Sequence, residues 1–203
     1  MKYPSYSRVY YTKRSQPPLF TQMVWDYLNT TNNPETSREF IAEVIWQLDD
    51  EFKFWMERMV NVSMDNKVYK LARYRVEVDG PRPGKSHQIC SVYPRYLYAE
   101  SYEEDHSLAA KLAEGERKEW YMHMKSGAES GWDYSSRWFV TSKERSAEEE
   151  LLGVQTGDII PVDLNSFLCK NAEIMEILFL KVEKPEKAAE YKKIREDLKE
   201  AIR

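Results

Sequence analysis

Residues 128–139 read Ala-Glu-Ser-Gly-Trp-Asp-Tyr-Ser-Ser-Arg-Trp-Phe and hold the densest chemistry in the chain. One carboxylate, Asp133, lies between Trp132 and Tyr134, close behind Gly131 and four residues before Arg137. A sugar ring offers apolar C–H faces and a rim of hydroxyls, so aromatic walls with a few polar groups suit it. A carboxyl among aromatics is also partly desolvated, which raises its pKa and lets it stay protonated as a general acid. The competing reading is core packing, the commoner use of a Trp/Tyr/Trp/Phe cluster. Arg14-Ser15-Gln16 is a second polar constellation. An arginine fork bridges two hydroxyls, or a hydroxyl and a carboxylate, in fixed geometry. Adjacent Ser and Gln add donors and acceptors. In an unrelated chain, Arg14 would read as a solvated arginine before the Pro17-Pro18 turn.

The elements that must position these residues are mostly helical. Through Phe20 the chain is rich in Tyr, Pro and Ser and reads as loop or extended segment; Leu19 to Leu28 then predicts a short helix. Apolar residues from Phe40 to Met59 recur at helical spacing and predict one long helix over Thr36 to Met59, or two joined near Trp46. Trp46, Phe54 and Trp55 read as packing residues. Val60 to Val78 turns strand-like, with Asp65-Asn66 as the turn between two short strands. The pattern is irregular from Pro83 to Leu108, then helical from Leu108 through Lys125 and again at Ala147 to Leu152. Asp163 or Asn165 is expected to cap a helix carrying Phe167, Leu168, Ile174, Met175, Ile177 and Leu178. Pro185 suits the first turn of a last helix that runs to Arg203. No internal repeat is evident. The expected class is all-α with one small β-hairpin excursion.

Bulk properties narrow the function classes. A chain of 203 residues can bury a proper core as one domain, and 13 % aromatic residues favour packed structure over disorder. The formal net charge of −4, with scattered lysines and arginines, gives no sign of a nucleic-acid partner. No apolar run approaches the length of a membrane span, and Met1-Lys2-Tyr3-Pro4 lacks the apolar stretch of a signal peptide. Cys90 and Cys169 show no metal-ligand spacing, and His87, His106 and His123 form no zinc set, so no metal or other cofactor is expected. Glu148-Glu149-Glu150 and the Lys/Glu-rich tail read as solvated helix faces.

Residues 129–138, Glu-Ser-Gly-Trp-Asp-Tyr-Ser-Ser-Arg-Trp, resemble the signature of the α,α-trehalases, with Tyr134 in place of the usual Phe. Four further segments resemble the same family in the same order: Val9 to Pro18, Leu48 to Met56 (LDDEFKFWM), Gly80-Pro81-Arg82-Pro83, and Asp158 to Asn165 (DIIPVDLN). The resemblance implies an (α/α)₆ barrel with the sugar at one mouth, and hydrolysis of the disaccharide trehalose to glucose by an inverting mechanism. It makes Asp133 the general acid. It makes Arg14, Ser15, Gln16, Arg82, Glu100 and Gly131 substrate-binding residues. In the family an arginine and a glutamate share a Pro-Arg-Pro-Glu-Ser-Tyr run. Here Gly84 to Ala99 separates Arg82 from Glu100-Ser101-Tyr102, and removing that segment restores the string. It is therefore expected to be an insertion, either a genuine long loop or translated intron.

The chain departs from the family in extent. An upstream arginine and Trp-Asp pair, a downstream Gln-Trp-Asp segment and the glutamate region that supplies the general base have no match. Residues 1–203 are thus expected to be an incomplete catalytic domain with little activity as given. The competing expectations are a non-catalytic fragment with partial sugar contacts, and a helical interaction protein in which the motifs survive only by descent. Compartment stays open, since related animal trehalases are often secreted or membrane-attached while no membrane attachment is encoded here.

Overall fold

Helical periodicity and turn chemistry account for most of the architecture. The computed structural model describes residues 14–30, 34–82, 100–139 and 147–203. Among these lie α1 (Phe20–Thr30), α2 (Pro34–Met56), β1 (Met59–Met64), β2 (Lys67–Ala72), α3 (Glu100–Ala109), α4 (Glu114–Ser130), α5 (Val162–Lys181) and α6 (Pro185–Ile202). Short 3-10 helices cover Ser136–Trp138, Ala147–Gly153 and Thr156–Asp158. The protein is therefore mostly helical with one antiparallel hairpin, as expected. The proposed insertion, Gly84 to Ala99, lies outside the described residues.

The described residues fall into two units. One comprises 17–30, 34–73 and 160–203 and holds α1, α2, the hairpin, α5 and α6. Its core is aliphatic and aromatic. Ile41, Ile45, Leu48, Phe52 and Trp55 of α2 are buried, as are Leu164, Leu168, Met175, Leu178 and Phe179 of α5. The long helix of the sequence reading is one helix and not two. Trp46, expected to pack, is half exposed and meets Phe179 edge-on at 5.8 Å. The hairpin pairs Met59 with Ala72 through Met64 with Lys67, closed by Asp65 and Asn66 at φ 49° and 61°. Both residue types tolerate that left-handed geometry.

Two expectations in this unit need correction. Strand pairing stops at Ala72 rather than Val78. Neither Asp163 nor Asn165 caps α5, because Pro161 holds that position. Asn165 instead spends its amide on chain pairing. Its Oδ1 accepts from the Ala72 N–H at 2.8 Å, and its Nδ2 donates to the carbonyls of Ala72 and Pro161, each at 2.9 Å. Pro185 does open α6 as expected.

The other unit comprises 14–16, 74–82, 100–139 and 147–159, with α3, α4 and the three 3-10 helices. Here the sequence pattern misleads more. The stretch before Leu108, expected to be irregular, is helical from Glu100, and the helix expected from Leu108 to Lys125 is divided between the end of α3 and α4. The strongly polar α3 has no apolar stripe; its buried residues are Asp105, Leu108 and Ala109. Lys111 and Leu112 donate to the carbonyls of Leu108 and Ala109 and tighten the end of α3. The Glu116 carboxylate then accepts from the Ala113 N–H at 3.3 Å and starts α4. Every residue of α4 from Trp120 to Ser130 is buried.

Candidate functional site

Arg14, Ser15, Gly131 and Asp133 lie together at the C-terminal end of α4, whereas Glu100 begins α3. Gly131 ends the helix at φ 74°, a left-handed cap that glycine adopts without strain. Two residues on, Asp133 also has positive φ, 46°, which is uncommon outside glycine but best tolerated by Asp and Asn. Ser130 stabilises the exit: its hydroxyl donates to the Gly127 carbonyl at 2.6 Å and accepts from the Trp132 N–H at 3.1 Å. Gly127 lets the turn fold back against the helix. A Cβ there would lie 2.9 Å from the Asp133 carbonyl oxygen and 3.3 Å from the Tyr134 ring.

Asp133 itself is exposed, so the expectation of a carboxyl enclosed by aromatics is not met. Trp132 is half exposed, and Tyr134 half buried. Arg137 sits 4.2 Å from the Trp132 ring centre and 5.3 Å from that of the fully buried Trp138, a cation–π pairing that ties the segment down.

Two segments distant in sequence reach the same helix end. Arg14 donates from Nη1 to the Ala128 carbonyl at 2.7 Å, one of the last-turn carbonyls that have no helical partner. A cation there also complements the helix dipole. Ser15 donates from its backbone N–H and its hydroxyl to Oε1 of Glu129, at 3.0 and 2.5 Å. Gln16 is exposed beside them.

Arg82 reaches the motif at Tyr134, with its guanidinium 4.9 Å from the ring centre. Its fork is already engaged. Nε lies 3.1 and 2.9 Å from the two Asp105 oxygens, Nη2 lies 2.6 Å from Oδ1, and Nη2 also reaches Glu104 at 2.9 Å. The Arg82 N–H donates to Asp105 as well, at 2.9 Å. Burial opposes the guanidinium charge, but the Asp105 bonds outweigh it and hold the Arg82 pKa above its usual range. Burial likewise pushes the Tyr134 phenol up, with Asp105 and Asp133 adding to the shift and Arg82 opposing it. Glu100 opens α3 one turn before Glu104. Arg82 thus pairs with the helix that Glu100 begins, through Glu104 and Asp105.

Several of these residues escaped the sequence reading. Asp105 and Glu129 are fully buried carboxylates with specific partners, yet each lies in an acidic or polar string that reads as solvated or as part of a motif. Gly127 has no sequence signal beyond its type.

One further cluster raises the question of a metal. Glu119, His123 and Asp158 each bring one ligand atom within 4.8 Å of the others. Metal-bound histidines donate their second ring N–H outward. His123 does the reverse: Nδ1 accepts from the Gly157 N–H at 3.1 Å. A neutral ring accepting at Nδ1 carries its proton on Nε2, the nitrogen that lies 3.6 Å from Asp158. These residues do not fit a metal ion.

The trehalase family profile matches residues 2–203. The chain belongs to the trehalase family. It is 39 % identical over 193 residues to the trehalase of Homo sapiens, covering 95 % of this chain and 29 % of that protein. It is 37 % identical over 201 residues to the trehalase of Pimpla hypochondriaca (98 % and 31 %), and 42 % identical over 169 residues to that of Tenebrio molitor (82 % and 27 %). The chain therefore spans about three tenths of the length of these relatives. Among the described residues, no helix is long and apolar enough to cross a membrane.

Proposed function

We propose that this chain is the acid-bearing part of a glycoside hydrolase that cleaves α,α-trehalose to glucose with inversion. The observation that carries the reading is Asp133, an exposed carboxyl on a left-handed turn at the end of a buried helix to which Arg14 and Ser15 are bound. Asp133 gives its proton to the glycosidic oxygen while water attacks the anomeric carbon from the opposite face. The C–O bond breaks, one glucose leaves with its α configuration, and the other acquires the β configuration. Arg14, Ser15, Gln16, Arg82, Glu100 and Gly131 bind the sugar. For Arg82, Asp105 and Glu104 take Nε and Nη2, and Nη1, which has no hydrogen-bond partner among the described residues, is the edge for hydroxyls. Residues 1–203 make up an incomplete catalytic domain, with Gly84 to Ala99 as an insertion.

The proton released by the attacking water needs a second carboxylate, and no residue of this sequence matches the family's general base. Loss of a general base typically costs about two to four orders of magnitude in rate. The 203-residue chain by itself should therefore release little glucose, and turnover like that of the longer relatives would refute the incomplete-domain reading. In a chain extended to the relatives' length, proton NMR of fresh product decides the stereochemistry. Inversion gives α- and β-glucose in equal amounts before mutarotation, whereas α-glucose alone would overturn it.

A further inference from the structure

Glu129 has no assigned part in the chemistry above, yet its environment is unusual for a carboxylate. It is fully buried and lies in the last turn of α4, where the helix dipole disfavours negative charge. Burying a carboxylate is costly unless hydrogen bonds compensate. Both of the bonds shown come from one residue, Ser15, and both fall on Oε1. Oε2 is buried without a hydrogen-bond partner among the described residues. Packing alone does not call for such a group, since an apolar side chain would fill the same space without the penalty.

We propose that Glu129 is a positioning residue for sugar binding, acting through Ser15 on the Arg14–Gln16 segment. This rests on the trehalase reading of that segment. The contact fixes both the backbone and the side-chain rotamer of Ser15, because N–H and O–H converge on one oxygen. Arg14 is secured on the adjoining residue, Ala128, so three bonds clamp Arg14-Ser15 to Ala128-Glu129. Gln16 extends from the clamped pair. The same helix ends at Gly131 and turns into Asp133, so the clamp sets the binding segment in register with the proposed acid. Glu129 itself does not touch the sugar.

The test uses Glu129→Ala and Glu129→Gln. Gln keeps an oxygen that accepts from Ser15 and places its amide nitrogen where Oε2 has no partner. In the 203-residue chain, Ser15 amide exchange should quicken about tenfold or more in Glu129→Ala and stay near the parent rate in Glu129→Gln. In the chain extended to the relatives' length, Glu129→Ala should raise the KM for trehalose about tenfold with a smaller change in kcat, and Glu129→Gln should restore it. Should Glu129→Ala fail to fold, Glu129→Met, which fills the space but offers Ser15 no carboxylate oxygen, takes its place with the same expected rise in Ser15 exchange and in KM. A folded Glu129→Ala protein with parental Ser15 exchange, or with parental KM, overturns the proposal alone. No trehalose turnover in the unsubstituted extended chain overturns the functional reading and the sugar role with it, while the Ser15 exchange still decides the clamp.

Discussion

Apolar stripes build the unit of α1, α2, α5 and α6, whereas polar clamps build the unit that carries Asp133. In the first, buried side chains recur along α2 and α5 at helical spacing, and Tyr191 stacks on Phe179 and meets Phe52 edge-on. In the second, single contacts between groups far apart in sequence do the joining. Trp120 Nε1 donates to the Leu151 carbonyl at 2.9 Å, the Val76 N–H to the Ser126 hydroxyl at 3.0 Å, and Arg82 and Ser15 to the buried carboxylates of Asp105 and Glu129. Apolar burial is non-directional and tolerates small shifts. Hydrogen-bonded charge pairs fix angle and register. The first unit is thus held mainly by volume, with Asn165 as a local hydrogen-bonded joint, and the second mainly by contact geometry.

The largest expected effect falls on the geometric side. In a chain extended to the relatives' length, Asp133→Asn should lower kcat on trehalose by about two to four orders of magnitude with KM nearly unchanged. Asn has no acidic proton but accepts the left-handed backbone at this position, so the loss is chemical and not conformational. Normal turnover by this variant would put the acid elsewhere and reduce the Trp132–Tyr134 segment to packing.

Stability variants test the comparison from both ends. Asp105→Ala leaves the Arg82 guanidinium buried without its main partner and should cost about 3–5 kcal/mol, the range for breaking a buried ion pair. Leu168→Ala in α5 should cost about 2–5 kcal/mol through the cavity it leaves. Replacing both Arg82 and Asp105 by apolar residues should restore much of the first loss, and nothing comparable rescues the second. Denaturant melts of the three proteins check this, and an unrecovered double variant would remove the distinction.

Asp49 is the exception that sharpens the contrast, a buried carboxylate inside the apolar unit. It accepts from Tyr191 at 2.7 Å and pairs with Lys53 at 2.5 Å. Burial raises its pKa, but the bonds from Lys53 and Tyr191 and the charge of Lys187 outweigh that and hold it below the usual carboxylate value. A depressed carboxylate adds stability above its unfolded pKa of about 3.9 and loses it as pH falls through the folded value. Asp49→Asn should therefore cost about 1.5–3 kcal/mol near neutral pH, with the gap closing in acid. A gap that persists unchanged below the carboxylate range would show that shape, not charge, matters at this position.

The same contrast explains what could be read in advance. Ile41, Ile45, Leu48 and Phe52 announce α2 by spacing, and Asp65-Asn66 announces the hairpin by turn chemistry. Pro185 marks the start of α6. In the other unit, α3 has no apolar stripe and owes its burial partly to Asp105, whose partner Arg82 lies 23 residues back. No local pattern encodes such a pair. The motif singles out Asp133 by residue type, while its exposure and left-handed backbone depend on how α4 ends, which no residue type in the motif spells out. Glu129 was visible within the motif, but its bond to Ser15 spans 114 residues.

The smallest effect concerns Tyr134, where the family's usual residue is Phe. Its hydroxyl donates to the Met124 carbonyl at 3.3 Å, a long bond in a half-buried position. Met124 is mid-helix in α4, so its carbonyl keeps its helical partner when the hydroxyl is removed. Tyr134→Phe therefore orphans nothing, and the ring facing Arg82 at 4.9 Å is retained. The expected cost is below about 1 kcal/mol, the low end for a neutral hydrogen bond, with no change in the contacts that hold Arg82. A thermal melt reads the cost. A loss several times larger would mean that the hydroxyl belongs to the clamp network of this unit. The polar contacts would then extend through the aromatic beside Asp133 as well as around it.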